Sequence, residues 1–137
     1  MPQPTRHASG VLSREECLDL LRTQPVGRVV FTLDALPVVV PVGYRVEDGG
    51  VVVRARRDSR LAKATVHTIV AFEADHFDPG YLTGWTVSVI GTAVPLPTTT
   101  ERLDATMGIA APEAGLEPYF VLIAPSVVSG KRLVSRA

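Results

Sequence analysis

Between Gly27 and Ala55 the chain keeps a period of two and leaves no room for a helix. Gly27-Arg28-Val29-Val30-Phe31-Thr32-Leu33 reads as a strand and Asp34-Ala35-Leu36 as a turn. Pro37 to Tyr44 reads as a second, valine-rich strand, and Glu47-Asp48-Gly49-Gly50 is a hairpin turn leading into Val51–Ala55. β-branched residues suit a pleated surface, and turns this short join antiparallel neighbours. The three runs therefore form a meander rather than a βαβ unit, and no Gly-x-Gly-x-x-Gly motif opens a helix anywhere in the chain. Pro41 within the second run implies an edge, a bulge or a break in the ladder, and Gly43 lets another group approach the backbone.

The remaining segments extend this pattern. Thr68–Asp75 and Trp85–Val94 read as fourth and fifth strands, joined by an aromatic-containing loop from His76 to Gly84 with the character of a contact surface. Gly91 marks a bulge or bend of the kind that curves a sheet into a barrel. Tyr119–Ala124 and Val127–Leu133 read as closing strands about a turn at Pro125-Ser126. Ser13-Arg14-Glu15-Glu16 is a capping box, with Leu12 and Cys17 placed as a hydrophobic staple. Leu18, Leu20 and Leu21 continue that helix's apolar side until Pro25 stops it near Thr23. A short helix starts at Asp58-Ser59, and another at Thr99-Thr100-Glu101-Arg102-Leu103, ending near Gly108 before a Pro/Gly-containing loop from Ile109 to Pro118. Six or seven short strands with two or three short helices predict a mainly β fold, a closed antiparallel barrel that leaves few exposed edges. Residues 1–10 are expected to be a flexible tail and residues 11–137 a single domain.

Composition narrows the function classes. The formal net charge is zero, which argues against nucleic acid as the main partner, because phosphate-backbone binding leaves an excess of basic charge. One cysteine excludes an internal disulfide framework and fits a reducing cytoplasm; Cys17 reads as a packing residue rather than a nucleophile. The N-terminus has no apolar core for a signal peptide, and no apolar run is long enough to cross a bilayer, so a cytoplasmic protein is expected. His7, His67 and His76 lack metal-ligand spacing, and no metal site is expected. Asp75-His76-Phe77-Asp78 reads as a solvated turn rather than an acid–base constellation, and no Ser/His/Asp triad can be argued from spacing.

One stretch stands out chemically. Arg54, Arg56, Arg57, Arg60 and Lys63 are five of the chain's fourteen basic residues, and Asp58 is the only acid among them. A strand that feeds a helix start amid guanidinium groups suits a phosphate, through backbone N–H groups, the helix dipole and bidentate arginine donors. The competing reading is a solvated, charged hairpin end. A local cluster within a neutral chain suits one small anion better than a polyanion.

Four stretches in sequence resemble the pyridoxamine 5'-phosphate oxidase-like family, the flavin-binding split β-barrels. They are Pro25-Val26-Gly27-Arg28-Val29-Val30-Phe31, Pro37–Val42, Val53-Arg54-Ala55-Arg56-Arg57-Asp58-Ser59-Arg60-Leu61 and Thr83–Gly91. The closing Ile123–Leu133 fits the last hairpin of short actinobacterial-type members. The resemblance implies a split antiparallel barrel, a homodimer, and two FMN sites formed at the subunit interface. Arg54 and Ala55 match the strand end that reaches the phosphate, and Ser59 and Arg60 the Ser-Lys or Ser-Arg pair that grips it. Lys63, four residues beyond Ser59, is placed to assist. Pro41 and Val42 match backbone running along the isoalloxazine ring; Trp85 and Ser88 match the strand that closes the site. Arg56 and Arg57 are expected to face solvent or a second subunit, and Arg28 to reach the site or form an ion pair. Ala55 stands where the family often has Thr, and Gly43 where Asn is common.

These correspondences imply an FMN-dependent oxidoreductase for a small substrate, in which the cofactor supplies the chemistry and no catalytic side chain is needed. Oxidation of pyridoxamine phosphate itself is not expected, because the sequence ends at Ala137 without the longer C-terminal segment that carries substrate-binding Arg and His in true members. Two alternatives stay open: the deazaflavin F420, whose acidic tail would engage Arg56 and Arg57, and a sensor that holds flavin or another ligand without turnover.

Overall fold

In the computed structural model the described residues are 10–80, 83–96 and 118–133. The expected tail up to residue 9, the helix expected from Thr99 and the loop after it lie outside them. In chain order the elements are α1 (Arg14–Leu21), β1 (Val26–Leu33), β2 (Leu36–Glu47), β3 (Gly50–Arg56), α2 (Arg60–Ala64), β4 (Ile69–Asp78), β5 (Thr83–Leu96) and β6 (Pro118–Leu133). The six strands close into an antiparallel barrel in the order β1-β2-β3-β6-β5-β4, as the sequence predicts.

Turn chemistry sets the register of the meander. Asp34 and Ala35 have φ of 52° and 66°, and Asp48 and Gly49 have φ of 50° and 79°. Two positive φ values in succession define the type I′ turn, whose twist matches that of the flanking strands. The closing pairs are Leu33 with Leu36 and Glu47 with Gly50.

The two prolines of β2 then fall into place by parity. Pro37 lies opposite Thr32 and Pro41 opposite Arg28, both an odd number of pairs from the closing pair of the turn. These are the pairs that exchange no ladder hydrogen bonds, so neither proline costs one. Tyr44 N–H, on the other parity, donates to the Pro25 carbonyl at 3.3 Å. β2 pairs with β1 from Leu36 to Gly43 but with β3 only from Tyr44 to Glu47. Beyond Tyr44 and Val53 the two strands fork, and the fork is the split in the barrel.

Three expectations need correction. Pro125-Ser126 is no turn: β6 is one strand of sixteen residues that pairs with β3 through its first part and with β5 along nearly its whole length. Ile90 pairs with Val127 and Gly91 with Pro125, so Ser126 is the extra residue of a bulge. Gly91 belongs there because a Cβ would stand 2.0 Å from the Ala124 carbonyl oxygen. Next, the aromatic loop is largely strand, since β4 runs to Asp78 and β5 resumes at Thr83. Asp75 accordingly sits in β4, not in a solvated turn, and accepts from Arg28 at 2.9 Å. Finally, α1 stops at Leu21 with Arg22 as its cap, slightly ahead of Thr23.

Alternation fills the interior. Val29, Phe31, Phe72, Val87, Val89 and Ile123 point inward and are buried, each contributing about 1.5–3 kcal/mol by removal from water. Phe72 meets Tyr44 edge-on at 4.7 Å between ring centroids. Gly27 makes room for it, since a Cβ there would lie 2.3 Å from the Phe72 ring. α1 packs on β5 and β6. Its capping box is complete, with Glu16 N–H donating to Ser13 Oγ at 3.1 Å and Ser13 N–H to Glu16 Oε1 at 2.9 Å. Leu12 and Cys17, the expected staple, both belong to the core. Burial pushes the Cys17 thiol up, which keeps it protonated and inert.

Candidate functional site

The fork between β2 and β3 opens a cleft of about 400 Å³. Val40, Pro41 and Val42 form one wall, Arg54, Ala55 and Arg56 the other, and Ser59, Arg60 and Leu61 close the end where α2 begins. Its volume lies in the range that takes a small organic ligand. One side is an apolar strand edge and the other carries guanidinium groups, so the cleft suits a molecule with a flat apolar part and an anionic end.

Ladder parity decides what each strand presents. Val40 and Val42 lie on the inward parity of β2 and Ala55 on that of β3, all three packing with the core. Pro41 is exposed on the other parity. Because β3 has diverged, the carbonyls of Pro37, Val39 and Pro41 point along an edge of β2 that pairs with no other strand among the described residues, while the two prolines withhold the matching N–H groups.

Arg54 and Arg56 share a face of β3 and both line the cleft. Arg56, expected to face solvent or a second subunit, is thus also a wall of the cleft. Its ion pair with Asp58 spans 3.3 Å between two well-exposed side chains and is worth little in water. Arg60 forms no ion pair among the described residues. Arg57 turns away and lies over the Tyr119 ring, 5.3 Å from its centroid.

Ser59 lines the cleft and also orders the loop around it. It caps α2: its hydroxyl accepts from Ala62 N–H at 3.1 Å and donates to the Arg56 carbonyl at 2.7 Å. The hydroxyl proton is committed to the loop, so Ser59 holds Arg56 and Arg60 at the mouth of the cleft. With five residues, α2 has only a small dipole, and the guanidinium groups provide most of the positive potential.

The other expected site residues lie elsewhere in this chain. Lys63 is exposed on α2 outside the cleft lining. Trp85 is buried in the core. Ser88 sits on the outer face of β5, between Glu73 and Ser129. β5 is separated from the cleft strands by β6 on one side and by β1 and β4 on the other. Arg28 is an ion-pair residue, 3.2 Å from Glu73 and 2.9 Å from Asp75, and its hydrogen bond to Glu73 raises its pKa further. The motif reading passed over Val40 and Leu61; the signals were Val40's shared parity with Val42 and Leu61's place after Ser59-Arg60. Among the described residues no group of His, Cys, Asp and Glu could hold a metal ion, and no helix is long and apolar enough to cross a membrane.

Comparison with known proteins bears on the family and the fold. Residues 13–132 match the family described as pyridoxamine 5'-phosphate oxidase. The uncharacterized protein Rv0080 of Mycobacterium tuberculosis is 37% identical over 136 residues, covering 90% of this chain and 85% of that protein. Among solved structures, the FAD binding protein of Mycobacterium smegmatis superposes with a TM-score of 0.71 at 28% identity, over 90% of this chain and 96% of that one. A conserved protein of unknown function from Corynebacterium diphtheriae gives 0.71 at 27% identity, over 91% and 97%.

Proposed function

Because the chain belongs to the pyridoxamine 5'-phosphate oxidase family, we propose that its cleft binds a flavin nucleotide, FMN, by the phosphate. The carrying observation is the cleft itself, where Arg54 and Arg56 on one wall and Arg60 at the adjoining end face a wall of Val40 and Val42. A phosphate takes the arginines through charge-assisted, forked hydrogen bonds. Val40 and Val42 would hold the apolar ring, and the backbone carbonyls of β2 would be its hydrogen-bond acceptors. The similarity to a protein whose name says that it binds FAD supports a flavin of some kind.

The bound cofactor supplies the redox chemistry, as an oxidoreductase acting on a small substrate; the chain's residues orient it and exclude water. Among the described residues the ionisable members of the cleft lining are all arginines, and none is a carboxylate, imidazole or thiol. A second reading, a more acidic cofactor such as F420 or the diphosphate of FAD, is favoured by one observation: Arg56 stands in the lining beyond what one phosphate requires.

The test is a fluorescence titration of apo-protein with FMN, FAD, F420 and riboflavin side by side. FMN binding well ahead of riboflavin supports the phosphate grip, and preference for FAD or F420 selects the second reading. Equal binding of all four, or of none, refutes the proposal. Reoxidation of the bound, reduced cofactor by candidate acceptors then separates an enzyme from a carrier.

A further inference from the structure

A second cavity, of about 300 Å³, opens where the end of α1 meets the part of β2 beyond the fork, and it shares no lining residue with the cleft. Leu21, Arg22 and Gln24 form its helix side, and Tyr44, Arg45 and Val46 its strand side. Among the described residues the lining holds two cations and no acid, because Asp19 and Glu47, which pair with the two arginines, lie outside it. Arg22 meets Asp19 through one terminal nitrogen at 3.0 Å, and Arg45 meets Glu47 through Nε at 3.2 Å. The first pair is 51% and 69% exposed, and surface pairs of this kind contribute little, so they yield to a better-matched anion. Arg22 is not needed to close the helix either. The Leu18 carbonyl accepts from Arg22 backbone N–H, the Leu20 carbonyl from Thr23, and the Leu21 carbonyl from Gln24 N–H and the Tyr44 hydroxyl. The acceptors that a basic side chain often covers at a helix end are thus already met.

We propose that this cavity binds a small organic carboxylate. Arginine's planar fork matches a carboxylate, and Arg22 and Arg45 come from different elements, so one carboxylate draws on both. Leu21 and Val46 give the carbon body of the acid an apolar lining. Tyr44 adds no competing charge. Burial pushes its phenol up to about 12, and its proton is committed to the Leu21 carbonyl. The helix then selects the charge of the ligand. α1 turns its C-terminal end to the cavity, the negative end of its dipole, whereas phosphate sites are built on helix N-termini. That end disfavours a phosphate dianion more than a singly charged acid. The volume is at the lower limit for organic ligands and favours a compact acid over a nucleotide. The inference stands on this cavity and does not depend on the flavin reading.

Titration of the isotope-labelled full chain with benzoate, followed by amide NMR, tests it. Benzamide offers the same shape without the charge, and inorganic phosphate the charge without the carbon body. Benzoate is expected to bind saturably and to shift the amides of the lining residues. Benzamide and phosphate are each expected to bind roughly tenfold more weakly, or worse. Arg22→Gln and Arg45→Gln should each weaken benzoate by roughly tenfold or more, and Arg22→Lys, which keeps the charge and loses the fork, by less. Arg14→Gln, at an exposed position of α1 outside the lining, leaves benzoate binding unchanged. The dispersion of each variant's spectrum reports its folding. Benzoate shifts that do not saturate, or that are confined to cleft residues 40–42 and 54–61, would overturn the inference. So would equal binding of benzamide, tighter binding of phosphate, or an Arg14→Gln loss as large as that of the lining variants.

Discussion

Arg60→Ala separates a phosphate cleft from a merely charged surface. Arg60 lines the end of the cleft, forms no ion pair among the described residues, and follows the Ser59 cap that fixes where its side chain starts. Its guanidinium is therefore available to a ligand without first surrendering a carboxylate. A hydrogen bond to a charged group contributes about 1.5–3 kcal/mol, which corresponds to roughly 10- to 150-fold in dissociation constant. Arg60→Lys keeps the charge and loses the fork, so an intermediate loss is expected. The assay is fluorescence quenching, with riboflavin as the internal control because it carries the ring without the phosphate. Arg60→Ala is expected to weaken FMN by that factor and leave riboflavin unchanged, the FMN effect shrinking as salt is added. Equal losses for both ligands would mean that the substitution had deformed the cleft, and no loss for FMN would remove Arg60 from the site. Either result refutes the reasoning.

Three further substitutions probe the scaffold. Ala35→Gly relieves the positive φ of the first type I′ turn and is expected to raise stability by up to about 1 kcal/mol in urea denaturation, whereas a loss would mean that the turn tolerates alanine without strain. Gly91→Ala drives a methyl group against the Ala124 carbonyl, and backbone cannot step aside as a flexible side chain would, so a loss of about 3 kcal/mol or more is expected from the same measurement. Glu16→Ala tests the capping box through pH. Hydrogen bonding to Ser13 holds the Glu16 carboxyl below its usual range, so its contribution is complete above that range and fades as acid protonates it. The stability gap to the unaltered protein should therefore be present at neutral pH and narrow at about pH 3; a constant gap would show that only helix propensity had changed.

What could be read in advance follows from how local each cause is. The capping box of α1 and both turns of the meander were legible because Ser13 and Glu16, or Asp48 and Gly49, meet within a few residues of one another. The bulge at Gly91 was legible for the same reason, but its location on the partner strand was not. Pro125-Ser126 has the composition of a turn, and only the pairing of Gly91 with Pro125 turns it into a bulge within one long strand. Likewise Phe77 and Gly84 read as loop by composition, yet they are paired across the β4–β5 hairpin. In both places long-range pairing overrode local preference.

The site divides along the same line. Arg54, Ala55, Ser59 and Arg60 are close in sequence and meet in one cleft, and Pro41 and Val42 join them because the meander folds β2 back beside β3. Trp85 and Ser88 were assigned by resemblance alone, and strand order puts them across the barrel. A chain that uses all of these residues on one ligand has to bring them from two molecules, since no motion within a closed barrel carries β5 around to the fork. FMN titration of Ser88→Ala tests this: an unchanged dissociation constant gives Ser88 no part in binding, and a roughly tenfold loss would mean that a second chain reaches the cleft.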